Sequence, residues 1–305
     1  MQRLIIVYNP RSSKHSLIEE EVLSPATKYP GYAIGKFEVK SVPVDQNAKN
    51  LSKILLDDDL VIAAGGDGTG AVALNGAILS QKSVTLAILG YGNFNDFTRT
   101  LGYQSISEIL SDFKSKKSSL KTLYPLEALV DGKHFRFAAC YFTIGMFAES
   151  TLVFDQKSTR KSLKTGKKSL FYSISTLAKW YFKNKHHQFL PASFRLNGEA
   201  KTNISDVLFV NGKTVAKMMK GGSWWQDEKT FLVSSGKLTK FLHLLAFMAK
   251  SIFKRLPGTV QNSPCTIDFD HATEIEIQGE GEYRRLKLSQ LTIKKSEQGI
   301  KVLSK

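Results

Sequence analysis

The sequence predicts an α/β fold of two domains, the first built on a parallel sheet and the second a mostly antiparallel β-sandwich. Over the first 118 residues, short apolar runs alternate with helical stretches, an order typical of a parallel sheet covered by helices on both faces. Beyond residue 119, short strands follow one another with turn pairs such as Asp131-Gly132 and Asn197-Gly198, which favours antiparallel pairing. We therefore expect domains at 1–118 and 119–305, with the extreme C-terminus packing back on the first domain.

The first domain is expected to contain four strands, each a short apolar run. They cover residues 4–8, 37–42, 60–64 and 84–89, with helices at 16–23, 47–56 and 70–80. Runs with so few polar residues suit strands that are buried on both faces of a sheet. The polar segment 114–119 follows and is expected to be a linker.

The second domain is expected to contain seven strands and two helices. The strands cover residues 126–130, 135–142, 189–196, 206–210, 266–269, 274–277 and 286–293, and the helices lie near 167–184 and 237–256. On the later helix, Leu242, Leu245 and Phe253 belong to one apolar face, and Phe247 falls among lysines opposite. We therefore expect Phe247 to be exposed at a membrane-facing edge.

Composition points to a folded cytoplasmic protein with anionic partners. A hydrophobic content of 42% argues against disorder, and a net charge of +16 favours nucleotides, nucleic acid or an anionic membrane surface as partners. Basic residues cluster with aromatic residues at 157–168 and 179–187, but no nucleic-acid recognition motif accompanies them, so no specific nucleic acid is expected. Cys140 and Cys265 lack metal-ligand spacing, and no apolar stretch approaches the ~18 residues of a membrane span. A homodimer is left open.

A glycine-rich turn is the most informative segment of the chain. Residues 61–69 (Val-Ile-Ala-Ala-Gly-Gly-Asp-Gly-Thr) place Gly65, Gly66, Asp67, Gly68 and Thr69 between a predicted strand and a predicted helix. Backbone N–H groups of such a turn can approach an anion, and the helix N-terminus favours it further. The carboxylate of Asp67 would repel phosphate, so it either binds a divalent cation that bridges them or holds the turn together.

Two further polar loops follow predicted strands of the same sheet. They are residues 9–13 and residues 90–96, and the latter include Asn93 and Asn95, whose amides can bond phosphate or ribose oxygens. Asp96 can cap the following helix or hold a neighbouring loop. Ligands of parallel sheets bind beyond the carboxyl ends of the strands, so we expect the three loops to form one site.

These motifs resemble those of diacylglycerol kinase-type lipid kinases. Gly65–Thr69 is similar to the phosphate loop that diacylglycerol kinases, sphingosine kinases and NAD kinases share, and Asn95-Asp96-Phe97-Thr98-Arg99 resembles the Asn-Asp-Phe-Ala-Arg element of the lipid kinases. Residues 8–13 resemble an Asn-Pro-x-Ser-Gly element, and residues 278–282 a Gln-x-Asp-Gly-Glu element. The resemblance runs from residue 4 to about residue 288.

The resemblance implies a Rossmann-like nucleotide-binding domain, a β-rich lipid-substrate domain, and ATP and Mg²⁺ as cofactors. It implies that Glu282 is the general base, that Glu280 and Asp67 support catalysis, and that Asp67 and Asp227 are metal ligands. The nucleotide-binding residues implied are Asn9, Pro10, Arg11, Ser12, Ser13, Gly65, Gly66, Asp67, Gly68, Thr69, Gly92, Asn93, Asn95 and Asp96. The substrate implied is a lipid hydroxyl, most simply that of diacylglycerol.

Several positions depart from the family pattern. Ala71 and Val72 stand where the family carries Asn-Glu, and Phe94 stands where a small residue is usual. Around Asp227, Glu228 and Lys229 replace the residues expected of a structural magnesium site. Because of these departures, a catalytically weak lipid- or membrane-binding protein remains an alternative function. NAD kinase is a further alternative, which the elements at 95–97 and 281–282 disfavour.

Overall fold

We describe the protein from a computed structural model, which covers residues 1–115, 120–154, 168–184, 187–238 and 240–305. For residues 154 and 168–174 it describes the backbone alone. Most of the predicted linker (116–119) and much of the first basic cluster, including Lys164 and Lys167, lie outside the described residues. No helix in the described segments combines the length and the apolar character that a membrane crossing requires.

The first sheet contains six strands among the described residues. They are β1 (Gln2–Tyr8), β2 (Tyr32–Glu38), β3 (Leu60–Gly65), β4 (Thr85–Gly90), β5 (Leu120–Leu123) and β18 (Ile300–Leu303). Their order is β2-β1-β3-β4-β18-β5, and every neighbouring pair is parallel except β18 with β5. The predicted parallel sheet is confirmed, and two strands that follow residue 118 extend it. The division into domains at residue 118 stays a prediction.

Helices cover both faces of this sheet. They are α1 (His15–Ile18), a π-helical turn (Glu19–Leu23), α2 (Ser24–Thr27), α3 (Val44–Ser52), α4 (Asp67–Ser80), α5 (Asp96–Leu101) and α6 (Ile106–Ser115). Successive side chains of a strand point to opposite faces. Leu4 and Ile6 accordingly pack with Ile18 and Ile109, whereas Val7 packs with α3 and α4.

One strand of the first sheet lies earlier in the chain than predicted. A strand was expected at 37–42, but β2 spans Tyr32–Glu38. It is an edge strand, and most of its residues are only half-buried, so it lacks the apolar run that marks a central strand. Its Gly35 lies so close to β1 that a Cβ there would be 2.7 Å from Cδ1 of Ile5.

The second sheet is antiparallel throughout, as predicted. Its strands are β6 (Leu126–Val130), β7 (Lys133–Ala138), β8 (Tyr141–Gly145), β9 (Ser193–Leu196), β10 (Glu199–Thr202), β11 (Asp206–Val210), β14 (Thr230–Gly236), β15 (Thr259–Asn262), β16 (Cys265–Gly279) and β17 (Glu282–Lys295). The order β15-β14-β11-β8-β16-β17-β6-β7 makes one connected sheet, with β9 and β10 branching from β16. Two strands predicted at 266–269 and 274–277 are one strand, β16, with a register shift between Asp268 and Thr273.

Three helices and a short hairpin complete the described part of the second half. The helices are α7 (Met146–Phe154), α8 (Lys168–Lys183) and α9 (Phe241–Phe253), and the hairpin pairs β12 (Thr214–Val215) with β13 (Met219–Lys220). The prediction that Phe247 is exposed on α9 is wrong, since only 8% of its surface is accessible and its ring packs 5.8 Å from that of Phe147. Leu242 and Phe253 instead face outward, at 74% and 78% exposure.

Two polar interactions join strand β7 to the first sheet's helices. The Asn75 amide of α4 donates to the carbonyl of Phe137 and accepts from its N–H, both at 3.0 Å. The buried Arg136 guanidinium makes a bidentate pair with the Asp45 carboxylate of α3, at 2.9 and 3.0 Å. Bidentate pairing fixes orientation as well as distance, so β7 is held in register with the helical layer.

Candidate nucleotide and acceptor site

Three strands of the first sheet end at the same level. Tyr8 pairs with Ala64, Ala64 pairs with Leu89, and Gly65 pairs with Gly90. The loops that follow β1, β3 and β4 therefore leave one edge of the sheet side by side. This register brings three loops together at the carboxyl ends of parallel strands, as the sequence predicted. The loops are residues 9–13, 65–69 and 90–96.

The second and third loops touch through glycines. A Cβ on Gly92 would lie 2.5 Å from Cα of Gly66, and a Cβ on Gly65 would lie 2.4 Å from Oγ1 of Thr69. The N–H of Tyr91 donates to the carbonyl of Gly65 at 2.7 Å. Contacts this close exclude any side chain, so the glycines are required by backbone packing as well as by any anion they approach.

Asp67 joins the glycine loop to α5. Its Oδ2 accepts a hydrogen bond from the N–H of Asn95 at 3.0 Å, and its Oδ1 accepts one from the N–H of Phe97 at 3.2 Å. The Asp67 carboxylate therefore caps the N-terminus of α5, although Asp67 belongs to a different helix. These contacts give Asp67 a structural role, although its partners lie in the next loop and not in its own turn. Asp67 also lines the cleft described below.

Two residues of the neighbouring loop, Asn95 and Asp96, make hydrogen bonds within the protein itself. The Asn95 amide closes its own loop, donating to Gly92 O at 3.1 Å and accepting from Gly92 N–H at 2.7 Å. Asp96 does not cap α5. It accepts hydrogen bonds from the Thr214 hydroxyl and, at 2.8 Å, from the Lys217 N–H, so it holds the β12–β13 hairpin.

The β16–β17 turn brings two glutamates to the glycine loop. Glu280 and Gly281 both have positive φ, +52° and +79°, and the Glu280 side chain is fully buried with Oε1 accepting from the Cys140 N–H. Glu282 is half-buried, and its Oε1 would lie 3.1 Å from a Cβ on Gly68. A non-glycine residue at positive φ is uncommon and marks a position that its surroundings enforce.

Burial and mutual repulsion raise the pKa values of the acidic groups. Burial and the adjacent Asp96 raise the pKa of Asp67 to about 7. Burial, with the charge of Asp67, raises the pKa of Glu280 to about 8. Burial also raises the pKa of Asp96. We call Asp67, Asp96 and Glu280 the carboxylate cluster, and the raised pKa values mean that these groups hold their protons more readily than free carboxyl groups do.

The carboxylate cluster fits a cation bound together with a nucleotide. Asp96 Oδ2 and Glu280 Oε2 are buried and have no hydrogen-bond partner in the described part of the chain. Among those residues, no three His, Cys, Asp or Glu side chains converge as a complete metal site. Mg²⁺ is usually held by one or two carboxylates with substrate phosphates and waters supplying the remaining ligands, so these acids suit a Mg²⁺–nucleotide complex rather than a resident ion.

An apolar cleft opens beside the carboxylate cluster. Its empty space, part of which is open to solvent, amounts to about 810 Å³, and its lining residues are Asp67, Phe94, Tyr141, Thr143, Phe147, Ser150, Thr151, Leu177, Val215, Ala216, Met218, Met219, Met248, Gln278 and Gly281. Most of these residues come from the second half of the chain, and Asp67 is its one lining acid among the described residues. Apart from Asp67, Phe94, Gln278 and Gly281, which belong to the sequence motifs, sequence analysis did not identify this lining, because apolar residues of a cleft have the same pattern as those of a core.

The first loop forms a compact turn at the same edge. Asn9 Oδ1 accepts from the Arg11 N–H at 3.0 Å, and the Ser12 N–H donates to Asn9 O at 3.0 Å. The rings of Tyr8 and His15 stack at 5.8 Å across the base of the turn. Arg11 and Ser13 are exposed, as contact with a bound phosphate requires.

Asp227, the second predicted metal ligand, lies in a different environment. Its Oδ1 accepts from the N–H groups of Lys229 and Thr230 at 2.7 and 2.9 Å, which closes its own turn. Close by, the buried Lys295 ammonium donates to Asn211 Oδ1, to Trp224 O at 2.7 Å and to Tyr124 O at 3.3 Å. Burial lowers the pKa of Lys295 to about 7. Nothing in the sequence motifs pointed to this lysine.

The departures from the family pattern have visible structural counterparts. Ala71 and Val72 are fully buried in α4, inside the helical layer. Phe94 lines the apolar cleft. Whether Phe94 also narrows the nucleotide pocket, as its size led us to expect, stays a prediction.

Comparisons with known proteins agree with the motifs. Residues 3–122 match the family model of the diacylglycerol kinase catalytic domain. Diacylglycerol kinase of Bacillus subtilis (strain 168) is 32% identical over 111 residues, which cover 33% of this chain and 34% of that protein. The match therefore spans about a third of the curated relative's length.

A solved structure extends the likeness to the whole chain. The crystal structure of a diacylglycerol kinase from Bacillus anthracis str. Sterne superposes with a TM-score of 0.68 at 20% identity, covering 100% of this chain and 97% of that one. An identity this low shows a common fold. Over residues 3–122 the sequence comparisons confirm the resemblance to the diacylglycerol kinase family, and the structural likeness shows that the two-part fold of the chain is that of a diacylglycerol kinase.

Proposed function

We propose that this protein is an ATP-dependent lipid kinase that phosphorylates a lipid hydroxyl, with diacylglycerol the first candidate. The observation that carries the proposal is the position of Asp67, which belongs to the glycine loop and also lines the apolar cleft. A phosphate-binding loop and an apolar acceptor site therefore meet at one carboxylate. The first sheet would bind the nucleotide, and the second half of the chain would bind the lipid.

The nucleotide phosphates would lie across the ends of β1, β3 and β4. The start of α4 and the loop residues Asn9, Ser12 and Asn93 follow those strands, and the positive end of the α4 dipole favours an anion there. Asp67 and the neighbouring acids would hold Mg²⁺ with the phosphates. When bound, Mg²⁺ neutralises charge on the transferring phosphoryl group.

Glu282 is the proposed general base. It is half-buried beside Gly68, and in the described part of the chain nothing donates a hydrogen bond to its carboxylate, so it is free to accept a proton. The acceptor oxygen attacks the γ-phosphorus of ATP while its proton passes to Glu282, and the bond from γ-phosphorus to the bridging oxygen breaks to release ADP. Glu280, buried beneath it, supports the turn that carries Glu282.

The cleft suits a lipid because its lining is apolar and adaptable. Met218, Met219 and Met248 contribute flexible side chains, and such residues fit acyl chains of varied shape. A lipid of this class stays in a bilayer, so we propose that the protein works at the membrane surface from the cytoplasm. Its charge of +16 favours an anionic surface.

A catalytically weak lipid-binding protein is the second candidate. It is favoured by one observation: Ala71 and Val72 replace a polar pair and are fully buried, so they offer no contact to a nucleotide or metal. That candidate predicts lipid binding without turnover.

The deciding experiment supplies labelled ATP and Mg²⁺ with diacylglycerol in mixed micelles and measures label in the organic phase. We expect transfer by the wild-type protein and loss of transfer by Glu282→Gln. A complete lipid extract tests other acceptors in parallel. No labelled lipid from either source, together with measurable lipid binding, would establish the second candidate instead.

A further inference from the structure

A basic pocket lies outside the proposed kinase site, at the end of α9. Its empty space, which is largely open to solvent, amounts to about 850 Å³. The lining residues are Lys213, Lys220, Gly222, Ser223, Trp224, Lys254 and Arg255. Four of these residues are cations, and no acidic residue is among the described lining. Such a concentration of one charge in a concave site attracts an anion.

The arginine of this pocket is oriented by two contacts. Arg255 Nε donates to Gly221 O at 2.9 Å, and its guanidinium lies 5.1 Å from the centre of the Trp224 ring. The next residue, Leu256, donates its N–H to Lys220 O at 2.9 Å. The bond through Nε leaves the Nη groups without a hydrogen-bond partner among the described residues, and a guanidinium fixed in this way suits the geometry of phosphate oxygens.

Gly222 keeps space open between two donors. A Cβ at this position would lie 2.6 Å from Arg255 Nη2 and 2.6 Å from Trp224 Nε1, and its φ of +151° is one that side chains rarely adopt. The indole Nε1 of Trp224 is buried and has no acceptor in the described part of the chain. A buried donor without an acceptor is costly, and a bound anion is one way to satisfy it.

An apolar stripe on the outer surface of α9 ends at this pocket. Leu242, Leu245 and Phe253 are 74%, 38% and 78% exposed, and their spacing of three and eight residues places them on one side of the helix. Lys254 and Arg255 follow Phe253 directly. Apolar side chains next to an anion-binding pocket are typical of surfaces that lie in a membrane interface.

We propose that this pocket binds the phosphate of an anionic phospholipid while the outer face of α9 lies in the bilayer surface. The four cations match the headgroup charge, and the exposed leucines and phenylalanine match the acyl region beneath it. This binding needs neither ATP nor turnover.

The pocket is connected to the acceptor cleft through the β12–β13 hairpin. Lys213, which precedes the hairpin, and Lys220, its last residue, line the pocket, whereas Val215, Met218 and Met219 of the hairpin line the cleft. A headgroup bound to the two lysines would therefore steady one wall of the cleft. This second effect rests on the proposed function, and we expect anionic lipid to lower the KM for the lipid acceptor.

Vesicle co-sedimentation without ATP tests the pocket separately from the kinase reaction. Phosphatidylcholine vesicles with and without phosphatidylglycerol would be compared for the wild type and for the double variant Lys213→Ala with Lys254→Ala. Two basic residues near an anionic surface account for about a 30-fold change in partitioning, and we expect that loss on phosphatidylglycerol vesicles. The control removes the same charge elsewhere, as Lys49→Ala with Lys53→Ala, two exposed lysines of α3 and its end.

A second variant changes the shape of the pocket and leaves its charge intact. Gly222→Ala places a methyl group between the two donors, and we expect weaker binding with the melting temperature reporting whether the fold is kept. Equal losses in the pocket and control double variants would show diffuse attraction and overturn the proposal. Binding of inorganic phosphate, detected by calorimetry, without any preference for phosphatidylglycerol vesicles would overturn it as well, in favour of a soluble anion.

Discussion

The Asp67 carboxylate and the backbone N–H of Phe97 are joined by a 3.2 Å hydrogen bond, so the glycine loop and α5 are positioned by the same side chain. Asp96, the first residue of α5, binds the β12–β13 hairpin on its other side. A residue of the phosphate loop is thereby connected, through one short helix, to the wall of the acceptor cleft. Substrate phosphates and the acceptor site are expected to respond to each other through this connection.

Replacing Asp67 should therefore affect nucleotide binding. In Asp67→Ala, the cation loses a carboxylate and α5 loses its cap, so we expect affinity for Mg²⁺–ATP to fall at least about tenfold, the effect of ~1.4 kcal/mol. Isothermal titration calorimetry measures it. Asp58→Asn, an exposed position at positive φ that Asn tolerates, is the control. Unchanged affinity in Asp67→Ala would remove Asp67 from the nucleotide site.

Replacing Glu282 should separate chemistry from binding. Loss of a general base lowers the rate by about 10²–10⁴-fold, and Glu282→Gln keeps the shape of the side chain, so kcat should fall while ATP affinity stays the same. Steady-state kinetics with calorimetry on the same preparation gives both quantities. Wild-type turnover in this variant would assign the base to Asp67, which faces the cleft.

The raised pKa values predict how stability depends on pH without ligand. Because folding raises the pKa of Asp67 to about 7 and that of Glu280 to about 8, the folded protein binds more protons than the unfolded chain above the ordinary carboxyl pKa of about 4. This contribution to stability is complete below that value and is lost as the pH rises to about 8. Melting temperatures between about pH 5 and 7, below the range in which the lowered pKa of Lys295 acts in the opposite direction, should fall, and the decrease should be smaller in Asp67→Asn.

Mg²⁺–ATP should reverse much of that loss at the upper end of the range, since it supplies the positive charge that the ionised carboxylates lack. Scans with and without Mg²⁺–ATP at about pH 8 check this. A melting temperature that rises with pH in the ligand-free protein would contradict the assignment of the raised pKa values.

Filling the cleft should weaken binding of the acceptor alone. Thr151 is half-buried at the cleft wall, so Thr151→Trp adds bulk there without disturbing a fully buried core position. We expect the KM for diacylglycerol to rise about tenfold, equivalent to ~1.4 kcal/mol of lost contact, with ATP affinity unchanged. Thr202→Trp, on the exposed strand β10, is the matched control. A normal KM in Thr151→Trp would place the lipid elsewhere.

Sequence analysis was most accurate for features that depend on residues close together in the sequence. The strands β1, β3 and β4 and the glycine loop are marked by short runs in which composition and conformation agree, so their location and type could be inferred from those runs alone. The partner of Asp96 could not be inferred, because Thr214 and Lys217 lie 118 and 121 residues away. Contacts of that separation leave no pattern in a single sequence.

The error on α9 has a different cause. This helix carries apolar residues on most of its circumference, so two faces could have been buried. Packing against Phe147 selected Phe247 and left Leu242 and Phe253 outside, a choice that depends on α7 rather than on the helix itself. Periodicity finds a buried face only when the opposite face is polar.

Strand β18 has a consequence for how the protein is made. It is the only described strand that joins β4 to β5, yet it is synthesised about 180 residues after β5. Until β18 emerges from the ribosome, one edge of β4 is unpaired, and the residues of β4 that are buried in the complete sheet lie at that edge. Unpaired edges can pair with strands of other chains. Expression of residues 3–122 alone would yield an incomplete sheet prone to association, and supplying residues 296–305 as a separate peptide should restore it.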